Sequence, residues 1–351
     1  MLKASKYLVL IAVAASFIWI GSAVSLSQQG SILTVYSYSS FVSYGMADVV
    51  AQAFKSATGA DVRFVATSDS RAMLARLITE RDARGEAPAD VFVGVEVNDL
   101  KTARAHDVFE AVSADDVPNL AALPQEIQFD SENKLIPYEH GFITLIYNSE
   151  KLKPEDAPKS FQDLLDPKFM KSIIMIDPRT SSVGLSFLLW TISKFGDSGY
   201  LDYWQQLKSN ILTITDSWDS AFDLFSKGEA PIMVSFSTDH AYDLIVNGSN
   251  QIQVLPLESQ GYRTIFGTGI VKGTKQEGLA RQFLNILLSP QVQSQIAETE
   301  WMIPANPDAQ ARLLWFQNVI FPSSPESLPA DDVSQNVDHW IDQWVNTVLS
   351  N

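Results

Sequence analysis

A strand–helix alternation that runs, breaks off and starts again does most to limit the fold. Residues 31–38 (SILTVYSY) alternate apolar and polar side chains, as a half-buried strand does. Residues 45–58 follow with Met46, Val49, Val50 and Phe54 at helical spacing, and Gly59 is placed to end that helix. Residues 61–67 predict a second strand. Asp69 or Ser70 then caps a helix with Met73, Leu74, Leu77 and Ile78 on one face, closed by Gly85. Residues 89–93 predict a short buried strand. This is the pitch of a doubly wound α/β unit. Residues 135–148 (LIPYEHGFITLIYN) form a long β-rich segment with polar residues in its middle. Such a segment can leave one lobe and enter another, and a new series begins behind it. Strands are predicted at 172–176, 211–215 and 231–236, and helices at 183–195, stopped by Gly196, and at 218–227. Residues 251–257 and 262–271 read as a return passage, and 278–288 as an amphipathic helix. Residues 331–349 form a last helix carrying Val337, Trp340, Ile341, Trp344 and Val348 on one face. With 351 residues, the chain has room for two domains. The expectation is two α/β lobes, the first interrupted by the second: 31–137 with 262–306, and 138–261 with 307–351.

The N-terminus adds a compartment. Lys3 and Lys6 precede an apolar run over residues 7–20, and Gly21, Ser22 and Ala23 follow. This is the layout of a secretory signal over residues 1–23, cleaved after Ala23. An uncleaved anchor is the other reading, since the run is borderline for a membrane span. The chain is therefore expected in the periplasm. It has no cysteine, so disulfides, thiolate metal sites and a lipid-anchoring cysteine are excluded. The four histidines show no metal-binding spacing, and no metal or cofactor is expected. Acidic residues outnumber Lys and Arg by 41 to 25, a net charge of −16, which disfavours nucleic-acid partners. The same field mildly favours a cationic small ligand, although an ordinary acidic surface reads the same way.

Ligands of open α/β sheets sit at the carboxyl ends of strands. The segments there are 38–40, 68–70, 177–182, 216–218 and 236–239. Residues 177–182 (DPRTSS) precede a helix, so Thr180, Ser181 and Ser182 offer an anion seat and equally a plain N-cap. Tyr38, Trp218, Phe236, Tyr242 and Trp301 stand at or near element ends. Together they suit a cage for a flat cationic ring; singly, each is more often core than ligand site. Asp69 can pair with a cation, cap its helix, or do both. Catalytic motifs are missing: there is no G-x-S-x-G, H-E-x-x-H, P-loop or dinucleotide fingerprint. A hydrolase triad from Ser235, Asp239 and His240 is the weak alternative, and no enzymatic role is expected.

The stretches LTVYSYSSF (33–41), FVATSDS (64–70), ADVFVG (89–94), IPYEHGF (136–142), DPRTSSVGLSFLLW (177–190), LTITDSW (212–218), FSKGE (225–229), SFSTDHAY (235–242) and EWMIPA (300–305) occur in one order along nearly the whole chain beyond residue 30. In this order they resemble the periplasmic thiamine-binding proteins of ABC transporters, within the type II solute-binding superfamily. The resemblance implies a two-lobed type II binding-protein fold with an interrupted N-lobe and a ligand cleft between the lobes. It implies a monomer that takes thiamine or a thiamine phosphate and delivers it to a permease in the inner membrane. Tyr38, Trp218, Tyr242 and Trp301 match the family's aromatic cage, and Asp69 its acid near the ligand. Ser181 and Ser182 match the polar turn at the hydroxyethyl or phosphate end. Phe236 stands where the family can carry a Tyr, and Ser70 where a Gly can occur. Ser237, Thr238 and Asp239 fill the turn after Phe236, with Asp239 and His240 departing from small residues or Pro. Within the same fold, a polyamine carrier stays open through Asp69 and Asp239. A ferric carrier is disfavoured by the lack of a Tyr-Tyr pair.

Overall fold

The computed structural model describes residues 30–310 and 317–350. The signal segment predicted at 1–23 lies outside them. Twelve strands join one continuous hydrogen-bonded sheet: β1 Ile32–Tyr38, β2 Asp61–Thr67, β3 Val91–Glu96, β4 Phe109–Glu110, β5 Ile136–Asn148, β6 Ile173–Ile176, β7 Ile211–Thr215, β8 Ile232–Phe236, β9 Ile252–Leu255, β10 Gln260–Val271, β11 Ile303–Pro304 and β12 Ser324–Glu326. Its central order is β2-β1-β3-β10-β5-β8-β6-β7. At one end β2, β1 and β3 run parallel, and at the other β8, β6 and β7 do. Parallel strands need helical crossovers, and those helices cover the sheet.

The two halves meet at β5 and β10. These long strands pair antiparallel from Tyr262↔Ile143 to Thr268↔Ile136. The first half of β5 also holds β11, and its second half holds β8 and β9. Each end of the sheet has its own apolar core. Leu33, Val35, Phe54, Val91, Phe283 and Ile296 belong to one. Ile146, Met175, Leu188, Trp190, Trp204 and Trp344 belong to the other.

The helices that bear on function are α1 Ser39–Ser43, α2 Met46–Thr58, α3 Ser70–Arg84, α4 Leu100–Ala105, α5 Ser182–Leu207, α6 Trp218–Ser226, α7 Asp239–Ile245, α8 Glu277–Leu287, α9 Pro290–Thr299, α10 Pro307–Gln310 and α11 Ala330–Trp344. The helix predicted at 183–195 is broken at Gly196, as expected, but a second helical stretch follows it directly. That glycine takes φ 69°, ψ 173°, a conformation no helix contains, and the chain kinks and resumes as helix to Leu207. Tyr200, Tyr203 and Trp204 are buried beyond the kink, so packing outweighs the break. In α11, Val337, Trp340, Ile341 and Trp344 pack into the core of the second half. Among the described residues, no helix is long and apolar enough to cross a membrane.

Candidate functional site

The site forms where strands end and helices begin, on the edge shared by the two halves. Tyr38 ends β1 and its ring lies over the backbone of β3. Gly94 makes this possible: its φ is +114°, and a Cβ there would stand 2.5 Å from the Tyr38 ring. Trp218 opens α6 just after β7. Ser217 caps that helix by accepting from the Ser220 N–H at 3.3 Å. The indole is then fixed from the side: Trp218 Nε1 donates to Ser235 Oγ at 2.8 Å, and the Ser235 hydroxyl donates in turn to Asp239. One turn further along α6, Phe222 stacks on Trp218 with centroids 4.9 Å apart and planes 20° apart. Tyr242 on α7 meets Phe222 edge-on at 6.3 Å and Trp301 at 5.1 Å. Phe236, at the end of β8, lies 6.4 Å from Trp218.

Trp301 stands just past α9 with φ 55°. A side-chain-bearing residue in that left-handed region costs about 1–2 kcal/mol. Its N–H donates to Ile296 O at 3.0 Å and so closes the helix in place of the usual glycine. Backbone strain here holds an indole at the mouth of a cavity. That cavity is about 600 Å³ of empty space including its opening, and Tyr38, Tyr44, Trp218, Phe222, Phe236, Tyr242, Phe266 and Trp301 surround it. Among the described residues, no lysine or arginine lines it.

Among its polar groups are three carboxyls, those of Glu139, Asp239 and Glu300. Glu139 projects from the middle of β5 and Glu300 from the end of α9, and Tyr38 Oη lies 3.0 and 3.1 Å from them. Burial, then the charge of Glu300, holds the Glu139 carboxyl well above the usual range. Burial pushes Glu300 up to about 8. Burial likewise lifts Asp239 to about 7, against the Ser235 hydroxyl that would keep it ionised. Ser237 Oγ and Thr238 Oγ1 are buried without a partner, as are one oxygen each of Glu139 and Glu300.

A smaller lobe of the same cleft, about 360 Å³, shares Tyr38, Trp218, Phe236 and Phe266 and adds Ser68, Asp69, Ser70, Ser182 and Val183. Here the polar groups satisfy one another across the two halves. The Asp69 carboxylate accepts from the Arg71 N–H of its own helix at 3.2 Å and from the Ser182 N–H of α5 at 3.1 Å. One carboxylate therefore caps two helices from opposite halves. Burial raises it to about 6, opposed first by the Ser181 hydroxyl and then by those two N–H donors. Ser70 Oγ donates to Ser182 Oγ at 3.2 Å, Arg71 Nε to Arg179 O at 3.2 Å, and the Ser39 hydroxyl to Asp219.

Ten of the thirteen residues singled out from sequence thus line one continuous cleft: Tyr38, Asp69, Ser70, Ser182, Trp218, Phe236, Thr238, Asp239, Tyr242 and Trp301. Thr180, Ser181 and Ser237 do not. Thr180 Oγ1 donates to Asp216 O at 2.7 Å, Ser181 Oγ accepts from the Gly184 N–H at 3.4 Å, and Ser237 is buried behind the wall. Sequence reasoning missed Tyr44, Phe222, Glu139, Phe266 and Glu300. Two had a signal: Phe222 is one helical turn from Trp218, and Glu139 is an acid inside an apolar strand segment. The hydrolase arrangement does not assemble, because His240 Nδ1 bonds the Ile252 carbonyl at 2.8 Å rather than Ser235. A larger groove, about 1290 Å³, runs past α4 and the start of α11, beside Lys101, Arg104 and Arg263. Among the described residues Tyr262 is its one ring, so it offers a flat ligand no pair of rings to stack between. Among the described residues no cluster suited to a metal ion occurs.

Residues 86–324 match the family described as bacterial extracellular solute-binding protein. The thiamine-binding periplasmic protein of Brucella melitensis is 33% identical over 314 residues, covering 89% of this chain and 91% of the relative. That of Escherichia coli is 30% identical over 321 residues, covering 90% and 93%. A solved periplasmic thiamin binding protein superposes with a TM-score of 0.81 at 28% identity, covering 93% of this chain and 98% of the other.

Proposed function

This chain belongs to the bacterial extracellular solute-binding protein family, and on that premise we propose that it captures thiamine in the cleft and delivers it to an ABC transporter. One observation carries the reading. Five rings drawn from both halves, Tyr38, Trp218, Phe236, Tyr242 and Trp301, face a single cavity whose ionisable lining, among the described residues, is acidic or phenolic. Thiamine has a flat, permanently charged thiazolium and a flat aminopyrimidine. Each ring gains about 0.5–2 kcal/mol per cation–π or stacking contact when desolvated. The relatives with that ligand in their names share the fold over nearly the full chain.

In this reading the lobes are 31–137 with 262–306 and 138–261 with 307–351. The cleft between them closes on ligand by hinge motion about β5 and β10. The signal segment directs the chain to the periplasm, where it works as a monomer without catalysis. The polar end, with Asp69, Ser70 and Ser182, lies beside the cage at the hydroxyethyl end of the ligand and ties the two lobes together there.

Titration calorimetry of protein stripped of ligand by unfolding and refolding tests the proposal. Saturable one-to-one binding of thiamine is expected. Absence of such binding, or tighter binding of spermidine, overturns it.

A further inference from the structure

The hydrogen bonds at Tyr38 do not balance without an extra proton. Its phenol oxygen lies 2.8 Å from the Tyr138 hydroxyl, 3.0 Å from Glu139 and 3.1 Å from Glu300. Each of these contacts needs a hydrogen between the two oxygens. Tyr38 and Tyr138 supply one apiece, because a phenol has a single proton to give. A carboxyl must supply the remaining one, or two acceptor oxygens face each other in a buried site. The partners available confirm the shortage of positive charge. Around the pair stand Tyr44 just past α1, Asp219 from α6, and Asp239 and Tyr242 from α7. Two strands away, Glu96 on β3 is bonded to Asn98 and Thr264. His140 follows Glu139 in β5, so its side chain projects to the opposite face, toward Arg263. Among the described residues, no lysine or arginine forms an ion pair with Glu139 or Glu300. Glu139 is 1% exposed, lines the cavity, and keeps one oxygen with no partner.

We infer that Glu139 and Glu300 form the cation subsite of the cleft, where the carboxyl proton shared at Tyr38 in the ligand-free protein is exchanged for the positive charge of the bound ring. This rests on the thiamine reading and adds a mechanism of selection. The carboxylic acid ionises to carboxylate, its proton passes to solvent, and the ligand's fixed charge replaces it, so the charge buried in the cleft is unchanged by binding. Two buried like charges are costly, and a fixed cation between or beside them removes that cost. A neutral isostere cannot expel the proton. The subsite therefore selects a permanently charged heteroaromatic ligand over an uncharged ring of the same shape. The direction of both carboxyl shifts, upward through burial, agrees with a proton held near neutral pH.

Calorimetric titration of the full chain with thiamine at pH 7, in phosphate and again in Tris, tests the exchange. The two buffers differ in ionisation heat, so the difference in observed enthalpy counts released protons. About one proton is expected per thiamine bound, with affinity rising by up to about tenfold per pH unit below pH 8. In Glu300→Gln and Glu139→Gln the buffer dependence should shrink or vanish. Thiamine binding with equal heats in both buffers overturns the exchange while leaving the ligand intact. A proton count that persists in both Gln variants and disappears in Asp239→Asn also overturns it, by moving the titrating group to the Ser235 side. No saturable heat with wild-type protein overturns the ligand reading itself and this inference with it. The wild-type comparison decides alone if a variant fails to fold.

Discussion

The two ends of the cleft use similar raw material to opposite effect. At the polar end, every acceptor of Asp69 that bonds is matched by a donor from one half or the other, and the serines bond each other across the gap. At the aromatic end, rings leave a space open, and carboxyl and threonine oxygens stay buried without partners. The first arrangement is complete without a guest; the second is not. Unsatisfied buried polar atoms cost roughly 1–3 kcal/mol each, so an empty cage is held open by the packing of its frame rather than by its own bonds. The polar end is therefore read as a latch between lobes and the aromatic end as the seat.

The sharpest way to break that division is to remove one ring. Trp218→Ala should weaken thiamine binding by at least about tenfold, or about 1.4 kcal/mol, with the ligand-free protein still folded by circular dichroism. Unchanged affinity would take Trp218 out of the seat. A smaller effect is expected at the latch. Asp69→Ala leaves the first N–H groups of α3 and α5 uncapped, at about 0.5–2 kcal/mol per cap. Its main result should be faster thiamine release in stopped-flow displacement and a less compact bound form in small-angle scattering. A loss of affinity as large as that of Trp218→Ala would make Asp69 a ligand contact and erase the distinction. Ser235→Ala comes next. It strands the indole N–H and leaves Asp239 without its donor, and binding should weaken by a few-fold, in line with a net hydrogen-bond worth of about 0.5–1.5 kcal/mol.

The gentlest test uses pH on the ligand-free protein. Glu300 keeps its proton to about pH 8 when folded, against an ordinary value of 4.5. The native state thus binds more protons than the unfolded chain over that window. Its contribution to stability is complete below pH 4.5 and is lost as pH rises through about 8. The thermal midpoint should fall across this interval, and less so in Glu300→Gln. Equal slopes in the two proteins would remove Glu300 as the titrating group. Asp69, raised to about 6, adds a fall of the same sign that ends earlier.

Much of this architecture was legible in the chain. The residues after β1, β2, β7 and β8 were suspect because ligands collect at strand ends, and most of them do line the cleft. The misses have local causes. Thr180 and Ser181 look like ligand donors from their spacing, but the Thr180 hydroxyl goes to the Asp216 carbonyl, and Ser181 accepts from the Gly184 N–H and bonds Asp69. Glu139 and Glu300 lie 161 positions apart and meet only because the register Ile303↔His140 and Pro304↔Glu139 brings β11 beside β5. Nothing local marks that pairing.

Sequence by itself determined the alternation of strands and helices, the restart after residue 148 and the acidic character, since periodicity and charge are properties of neighbours along the chain. Only tertiary structure decided which acids share a proton, which serines close a latch and which rings are left facing space. Those outcomes depend on distances across strand pairings and between lobes, and a hydrogen bond or a stacked ring is gained or lost within about an ångström.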